Sequence, residues 1–447
     1  MKNKKICILG GGLSGLSTAW KKMRQGHEIT LIESSPQLGG VLQSEQKNGY
    51  LLDYGANTLS LRNQETSDIL EDMGVLKYAL DANPNANKRF IVRNQKLVSL
   101  PLNFTSFLSS SFLSPLGKLR MCLEPFIPKG NQDGMETVAS FISRRLGKEA
   151  LDYCGNPFIS GIYASDPETL NLANAFPALF RMEEQYRSLL IGMVKGKNSK
   201  KKIPKTRLLS FPEGMNQLAV LIQKNLAQDH VYTSESVTSV TNLGKGWKVK
   251  SVNQAGNISE FLCDEVISTI PVDQISNIDW ENIKGQENFT NLMQVTHFPL
   301  SMVFFGMDRE EISHNLDGFG FLVPEKEKLS ILGTLFSSTL FENRAPKGKV
   351  LLTTFVGGER MPELALAEDE QIYAAVEKDL SSLLGMTSEP TFRHIKRWKQ
   401  SIPLPDKKMS LRVKAAKEIS SLNKGLYFSG SALSGVSLPN CIEADIT

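Results

Sequence analysis

Cysteine is scarce in this sequence, and none of it is paired at a useful spacing. The five cysteines stand at 7, 122, 154, 263 and 441 with no CxxC. That argues against a disulfide framework and a structural zinc site, and it fits a reducing compartment. The five histidines are scattered, without HExxH or another metal spacing, so no metal is expected. Long apolar runs are missing as well: none reaches the roughly 18 residues that a membrane-spanning helix needs. Charge of one sign is not in excess. The balance of 51 basic and 47 acidic residues leaves +4, too little to argue for nucleic acid. The densest basic stretch, 195–207, mixes seven Lys or Arg with Gly, Asn, Ser and Pro and reads as a solvated loop. Lys2, Lys4 and Lys5 precede an apolar stretch, but that stretch is a glycine loop and helix rather than a signal peptide, so a cytoplasmic start is expected. With 447 residues, 41% hydrophobic and 22% charged, the chain suits two or three globular domains around a large core.

Glycine, by contrast, is placed with purpose near the start. GGGLSG occupies 10–15, between an apolar run at 6–9 that reads as a buried strand and a helical pattern at 13–23. A second strand pattern at 29–32 ends at Glu33, 18 residues after Gly15. This is a βαβ unit in which a tight turn, a close pyrophosphate approach and close helix–strand packing each exclude a Cβ. The pyrophosphate would rest on the helix N-terminus, and Glu33 would accept hydrogen bonds from the adenosine ribose. An NAD-only site needs nothing after the acid. Here Gly39, Gly40, Gly55 and a late turn at Gly430 offer further backbone approach points, which suits the extended FAD.

The remaining patterns give the organisation. A helical period at Leu218, Leu221, Ile222 and Leu226 follows FPEGM (211–215), and strand patterns at 231–232, 236–240 and 247–252 lead to a run at 266–270 stopped by Pro271. One excursion, 86–206, has helical patterning at 135–146 and 149–157. The other, 272–408, mixes strands at 301–305 and 351–356 with a helix at 369–384. The expected fold is α/β. It has a discontinuous Rossmann-like FAD-binding domain (1–85, 207–271 and 409–447), a mixed α/β substrate domain (272–408) and a helical insertion domain (86–206).

GGGLSG, Glu33 with LGGV (38–41), DYGAN (53–57) and FPEGMNQL (211–218) resemble the FAD-containing amine oxidase superfamily. Within it, RRLGKEAL (144–151), SGIYASDPETLNL (160–172), FPALFRMEEQYRSLLIGM (176–193), GFGFLVP (318–324) and GSALSGVSLPNCIE (430–443) are similar to the oxygen-dependent protoporphyrinogen and coproporphyrinogen oxidase family, in order along nearly the whole chain. By matching position, the resemblance implies that FAD contacts Gly10, Gly11, Gly12, Leu13, Ser14, Gly15, Glu33 and Val41. It extends the set to Gly55, Ala56, Asn57, Thr58 and Val237, and then to Ser431, Val436, Ser437 and Leu438. Substrate contacts are implied for Arg89, Gly161, Phe319 and Leu322.

A porphyrinogen is a flat apolar macrocycle with anionic arms. Arg89 offers a planar fork to a carboxylate, Phe319 and Leu322 offer apolar surface, and Gly161 allows close backbone approach. The family reaction, in haem biosynthesis, takes a hydride from a bridge carbon to the flavin with loss of a pyrrole proton, three times over, with O2 as final acceptor. No His–Asp or paired-carboxylate motif lies near these segments, so no catalytic acid or base is assigned. Protoporphyrinogen IX is the expected substrate. Coproporphyrinogen III is the nearest rival, disfavoured mildly by arginine at 89 where that group often has lysine. An amine oxidase or desaturase, and a degenerate flavin-less porphyrin-binding protein, are more distant readings. The apolar stretch at 102–126 either dips into a membrane interface or closes the substrate tunnel, so at most peripheral membrane contact is expected. A homodimer stays open. Two departures stand out: IPLPDKK (402–408) replaces a Pro-x-Tyr-x-x-Gly-His segment common in relatives, and the sequence ends at Thr447, where the family continues a terminal helix, which would weaken FAD retention.

Overall fold

Continuous apolar strands and alternating strands separate into two different sheets. The computed structural model describes residues 3–101, 103–130, 134–197, 206–227 and 230–444. Strand β1 (Lys5–Leu9) buries its last four residues in a row, as a strand covered on both faces must. It is central in a five-stranded sheet ordered Val231–Tyr232, β2 (Glu28–Ile32), β1, Glu265–Ser268 and Leu426–Phe428. All four pairings are parallel. Helix α1 (Leu13–Arg24) is the crossover from β1 to β2, and its Leu13, Leu16, Ala19 and Trp20 face the core together with Leu31, Leu218, Ile222 and Ile442.

The second sheet has seven strands, ordered Phe392–Trp398, Leu300–Asp308, Lys349–Gly357, Gly333–Leu335, Gly318–Leu322, Lys88–Arg93 and Lys96–Ser99. Its strand Leu300–Asp308 sends alternate side chains to opposite faces. Val303, Phe305 and Met307 pack on Ile372, Val376 and Leu380 of the helix Asp369–Leu384. Met302 and Phe304 pack on Tyr50, Leu52 and Tyr54, which belong to the hairpin Ser44–Lys47/Tyr50–Asp53 and the residue after it.

The sequence expectations fare unevenly against these sheets. The helix at 369–384 has the bounds expected of it. The block 86–206, expected to be helical, opens instead with the hairpin Lys88–Arg93/Lys96–Ser99, which forms the edge of the seven-stranded sheet. Phe90 and Val92 enter one core and Ile91 another, a period-2 pattern too short to outweigh the helices beyond it. Within the block expected at 272–408, the strand Asp279–Glu281 pairs with Glu235–Asn242, and the helix Asn288–Met293 packs with Trp247 and Ala415, so 279–293 lies with the nucleotide sheet. The helix expected at 149–157 is broken into Lys148–Ala150, a wide turn Leu151–Gly155 with i→i+5 bonds, and Asn156–Tyr163. Pro157 lacks the donor that a regular turn would require. Of the basic stretch 195–207, residues 198–205 lie outside the described residues, as do Leu102 and the chain end at 445–447.

One ion pair ties the parts together. Arg344, on the loop before Lys349–Gly357, lies 3.2 Å from Asp53, and the two side chains are 2% and 4% exposed. Arg344 also donates to Ser210 Oγ at 2.6 Å, while Asp53 accepts from Ser44 Oγ and the Met215 amide, each at 2.7 Å. Breaking a buried pair strands a charge in a dry site, which costs about 3–5 kcal/mol. Asp53→Ala should therefore lower the urea-unfolding free energy by about that amount, and a loss under about 1 kcal/mol would place the pair among those exposed to water.

Candidate functional site

The loop after β1 folds as its glycines dictate. A Cβ on Gly15 would sit 1.9 Å from the Gly10 carbonyl oxygen, and one on Gly11 2.4 Å from Leu38, so neither position has room for a side chain. Above Gly12 the space is open except for Gly40, 4.0 Å away. Gly12 begins α1 without any side-chain cap, and no acidic residue lies in its first turn. Free amides, the positive end of the helix dipole and an open face together make an anion site. Leu13 and Ser14 start the helix buried beneath it.

The other expected cofactor residues line up from there. Glu33 ends the strand β2, nearly buried, with its carboxylate accepting from the Gly11 amide at 2.6 Å and the Ser35 amide at 2.7 Å. Val237 stands at a bulge in the strand Glu235–Asn242, whose first amide bonds to the Glu33 carbonyl at 2.9 Å. On the other side, the Gly39 amide donates to the Gly11 carbonyl at 2.8 Å, and Gly39 and Gly40 both have positive φ. Val41 follows, 58% exposed despite being apolar. A Cβ on Gly55 would lie 2.0 Å from the Val41 carbonyl oxygen, so these two backbones touch. Ala56, Asn57 and Thr58 continue, half-buried, with Asn57 donating to the Gly55 carbonyl at 3.2 Å. The last segment turns at Gly430 and Gly435, both of positive φ. Ser431 starts a short helix, Ser437 caps the helix Leu438–Glu443, Val436 packs with Tyr163 and Leu404, and Leu438 packs with Leu13. The result is a continuous track from Glu33 and Val237 past Gly12 to Val41 and Gly55. Its length, its open glycine backbone and its free amides fit FAD.

The four expected substrate residues fall into two touching pairs, each with one member on the strand Gly318–Leu322 and the other on Lys88–Arg93 or the helix Asn156–Tyr163. The Arg89 guanidinium lies over the Phe319 ring, 5.4 Å from its centroid, and forms no ion pair with a carboxylate among the described residues. A Cβ on Gly161 would meet Leu322 Cδ2 at 2.4 Å. Phe319 packs with Leu335 and Phe341, which line a small cavity together with Asn57. The 55–58 segment thus reaches, at Asn57, the same cavity as the residues on which Phe319 packs.

Three features escaped the sequence reading. Asp53 and Arg344 lie directly beneath the cavity, and burial raises the Asp53 carboxyl above the usual range while lowering Arg344. Asp53 could have been noticed inside DYGAN, but nothing marked Arg344. Leu404, in the altered IPLPDKK segment, is fully buried in one cluster with Ile159, Tyr163 and Val436, so this segment is anchored in the core beside the 436–438 segment. The Cys154 thiol, near Glu149, is pushed up to about 12 by burial, which leaves it unreactive.

The family described as flavin containing amine oxidoreductase matches residues 13–444. A mitochondrial protoporphyrinogen oxidase of Nicotiana tabacum is 32% identical, over 99% of this chain and 93% of its own length. A coproporphyrinogen III oxidase of Bacillus subtilis is 26% identical, over 98% and 96%. Among solved structures, one from Exiguobacterium sp. 255-15 shares the fold with a TM-score of 0.79 at 22% identity, covering 99% of this chain and 97% of its own. The cyclohexylamine oxidase of Brevibacterium oxydans IH-35A does so at 0.69 and 14%, covering 99% and 97%.

The fit of FAD to the glycine loop gives a direct expectation. Gly15→Ala places a methyl against the Gly10 carbonyl, so the loop must shift by about an ångström, an overpacking cost of about 1–3 kcal/mol. FAD affinity, measured by quenching of flavin fluorescence, should fall about tenfold or more, whereas Gly26→Ala, in open space, should leave it unchanged.

Proposed function

Because the chain belongs to the flavin-containing amine oxidoreductase family, we propose that it is an FAD-dependent oxidase of a porphyrinogen, acting in haem biosynthesis with O2 as electron acceptor. The observation that carries this reading is made on Gly318–Leu322, where the Arg89 guanidinium lies over the Phe319 ring and Leu322 packs onto Gly161. An amine substrate would need no such combination.

In this reading the protein binds, orients and shelters. Glu33 accepts the ribose hydroxyls and the amides at the start of α1 hold the pyrophosphate, while Val41, Gly55, Ala56, Asn57 and Thr58 border the flavin ring with Ser431, Val436, Ser437 and Leu438. Redox capacity comes from FAD when it is bound: hydride acceptance from the macrocycle and return of the electrons to O2. Arg89 takes a propionate with its free edge while its face rests on Phe319. Leu322, seated against Gly161, offers apolar surface to the ring. Gain of aromatic conjugation drives the oxidation, so these positioning contacts suffice and no side chain is assigned as acid or base.

Protoporphyrinogen IX is the preferred substrate, with Arg89 as the distinguishing group. Supplied separately under anaerobic preparation, protoporphyrinogen IX should give porphyrin fluorescence with matching oxygen uptake when air is admitted. Faster turnover of coproporphyrinogen III would transfer the assignment to that substrate, and no turnover of either by flavin-loaded protein would reject the reading. Arg89→Ala should raise KM about tenfold, the worth of one charged hydrogen bond, with FAD content unchanged.

The proposal extends to a cytoplasmic location with peripheral membrane contact. No helix among the described residues is long and apolar enough to cross a membrane. The helix Pro115–Cys122 exposes Leu116 and Leu119, with Leu123 and Phe126 following, and Leu116 and Phe126 are 79% and 82% exposed. An apolar stripe of this kind suits a membrane interface. Co-flotation with anionic vesicles should be lost in Leu116→Ser/Phe126→Ser. A dimer by sedimentation that the same change dissociates would assign the stripe to a second copy.

A further inference from the structure

The edge strand Phe392–Trp398 meets the hairpin Ser44–Lys47/Tyr50–Asp53 along one line of alternate residues. Phe392 stacks on Tyr50 with centroids 4.6 Å apart. Lys396 lies 3.0 Å from Gln43 Oε1 and over the Tyr54 ring, and Trp398 Nε1 donates to the Tyr54 carbonyl at 2.7 Å. Between these rungs stands His394, with Nε2 2.8 Å from the Tyr54 hydroxyl and Nδ1 3.3 Å from Lys47 Nζ. Tyr54 in turn donates its hydroxyl hydrogen to Glu45.

The donor inventory fixes the polarity of this chain. Lys47 has only hydrogens to give, so His394 Nδ1 accepts. Tyr54 has one hydrogen and gives it to Glu45, so its oxygen must accept from His394 Nε2–H. The sequence Lys47 to His394 to Tyr54 to Glu45 is complete only when the imidazole is neutral with its proton on Nε2. A second proton would have to go on Nδ1, facing the Lys47 ammonium.

Tyr54 is the residue before Gly55, and Gly55 touches Val41. Where Tyr54 is held, the 41/55 wall of the cofactor track is held too, against the sheet that carries Phe319 and Leu322. We propose that neutral His394 is a positioning residue that acts through Tyr54 to clamp the Val41/Gly55 wall onto the substrate sheet, and that its protonation releases that wall. The inference rests on the reading that this wall borders FAD.

Every charged neighbour bears on the direction. Lys47 from the hairpin and Lys396 from the same strand oppose protonation. Glu45 from the hairpin and Asp369 at the start of the helix Asp369–Leu384 favour it, and Phe304 on the adjacent strand is apolar. Burial is the largest influence and, with Lys47, holds His394 below its ordinary value of 6.5. For a folded-state value that is depressed, the clamp is fully present above the unfolded value and is lost as pH falls through the lower, folded one.

The test uses FAD-loaded full chain, with release of FAD followed by the rise of flavin fluorescence. Release should become about tenfold faster as pH is lowered stepwise from 7.5, with the midpoint of the step below 6.5. His394→Gln keeps a donor to Tyr54 but cannot titrate in this range, and should abolish the acid step. Lys47→Met removes the opposing cation and should move the step to higher pH, which serves equally if the first variant does not fold. An unaltered acid step in His394→Gln, or a step unmoved in Lys47→Met, overturns the proposal and leaves the cofactor reading intact. A chain that holds no FAD even at pH 7.5 would bring down both.

Discussion

The buried pair of Asp53 and Arg344 is the constraint on which the arrangement of the site depends. Neither charge can be left alone in a dry interior, so the three segments that supply Ser44 with Asp53, Ser210 with Met215, and Arg344 must stay in one relative position. Those segments come from the cofactor side and the substrate side of the molecule. A ligand spanning the two sides meets a preset gap, and hydride transfer is sensitive to such gaps at the level of an ångström.

The Tyr54 ladder adds a second, softer attachment, one residue on from Asp53 and on the opposite face of the same hairpin. Lys47 and His394 are half-buried and Glu45 is exposed where the ion pair is fully enclosed, so this is the attachment that conditions can loosen. A hairpin fixed through one face and adjustable through the other holds a cofactor wall firmly while leaving part of it responsive.

What the sequence revealed follows from how local each requirement is. The glycines at 10–15, 39 and 40 answer to backbone contacts within a few residues or to one neighbouring loop, and such needs leave a spacing that can be read. The five-stranded sheet was legible for a similar reason, because double-sided burial writes continuous apolar runs. Arg344 and His394 gave no such sign. Each is a single residue whose partner lies about three hundred positions away, and nothing in its own neighbourhood distinguishes it from a surface side chain. The hairpin at 88–99 was hidden differently, being two short strands ahead of a long helical region. RRLGKEAL carried the family resemblance without a stated role, and the structure gives one: Arg145 is fully enclosed with Glu124 and Glu183 and holds the helical block together.

The strand order of the parallel sheet also governs how the molecule can be made. Leu426–Phe428 completes a sheet begun by Lys5–Leu9, and the strand between them is drawn from residues 265–268. A ribosome must therefore deliver most of the chain before β1 has both neighbours. Until then an apolar strand stands with an open edge, prone to pair with another nascent chain. The cofactor loop attached to that strand is thus among the first segments synthesised and among the last to reach a settled form.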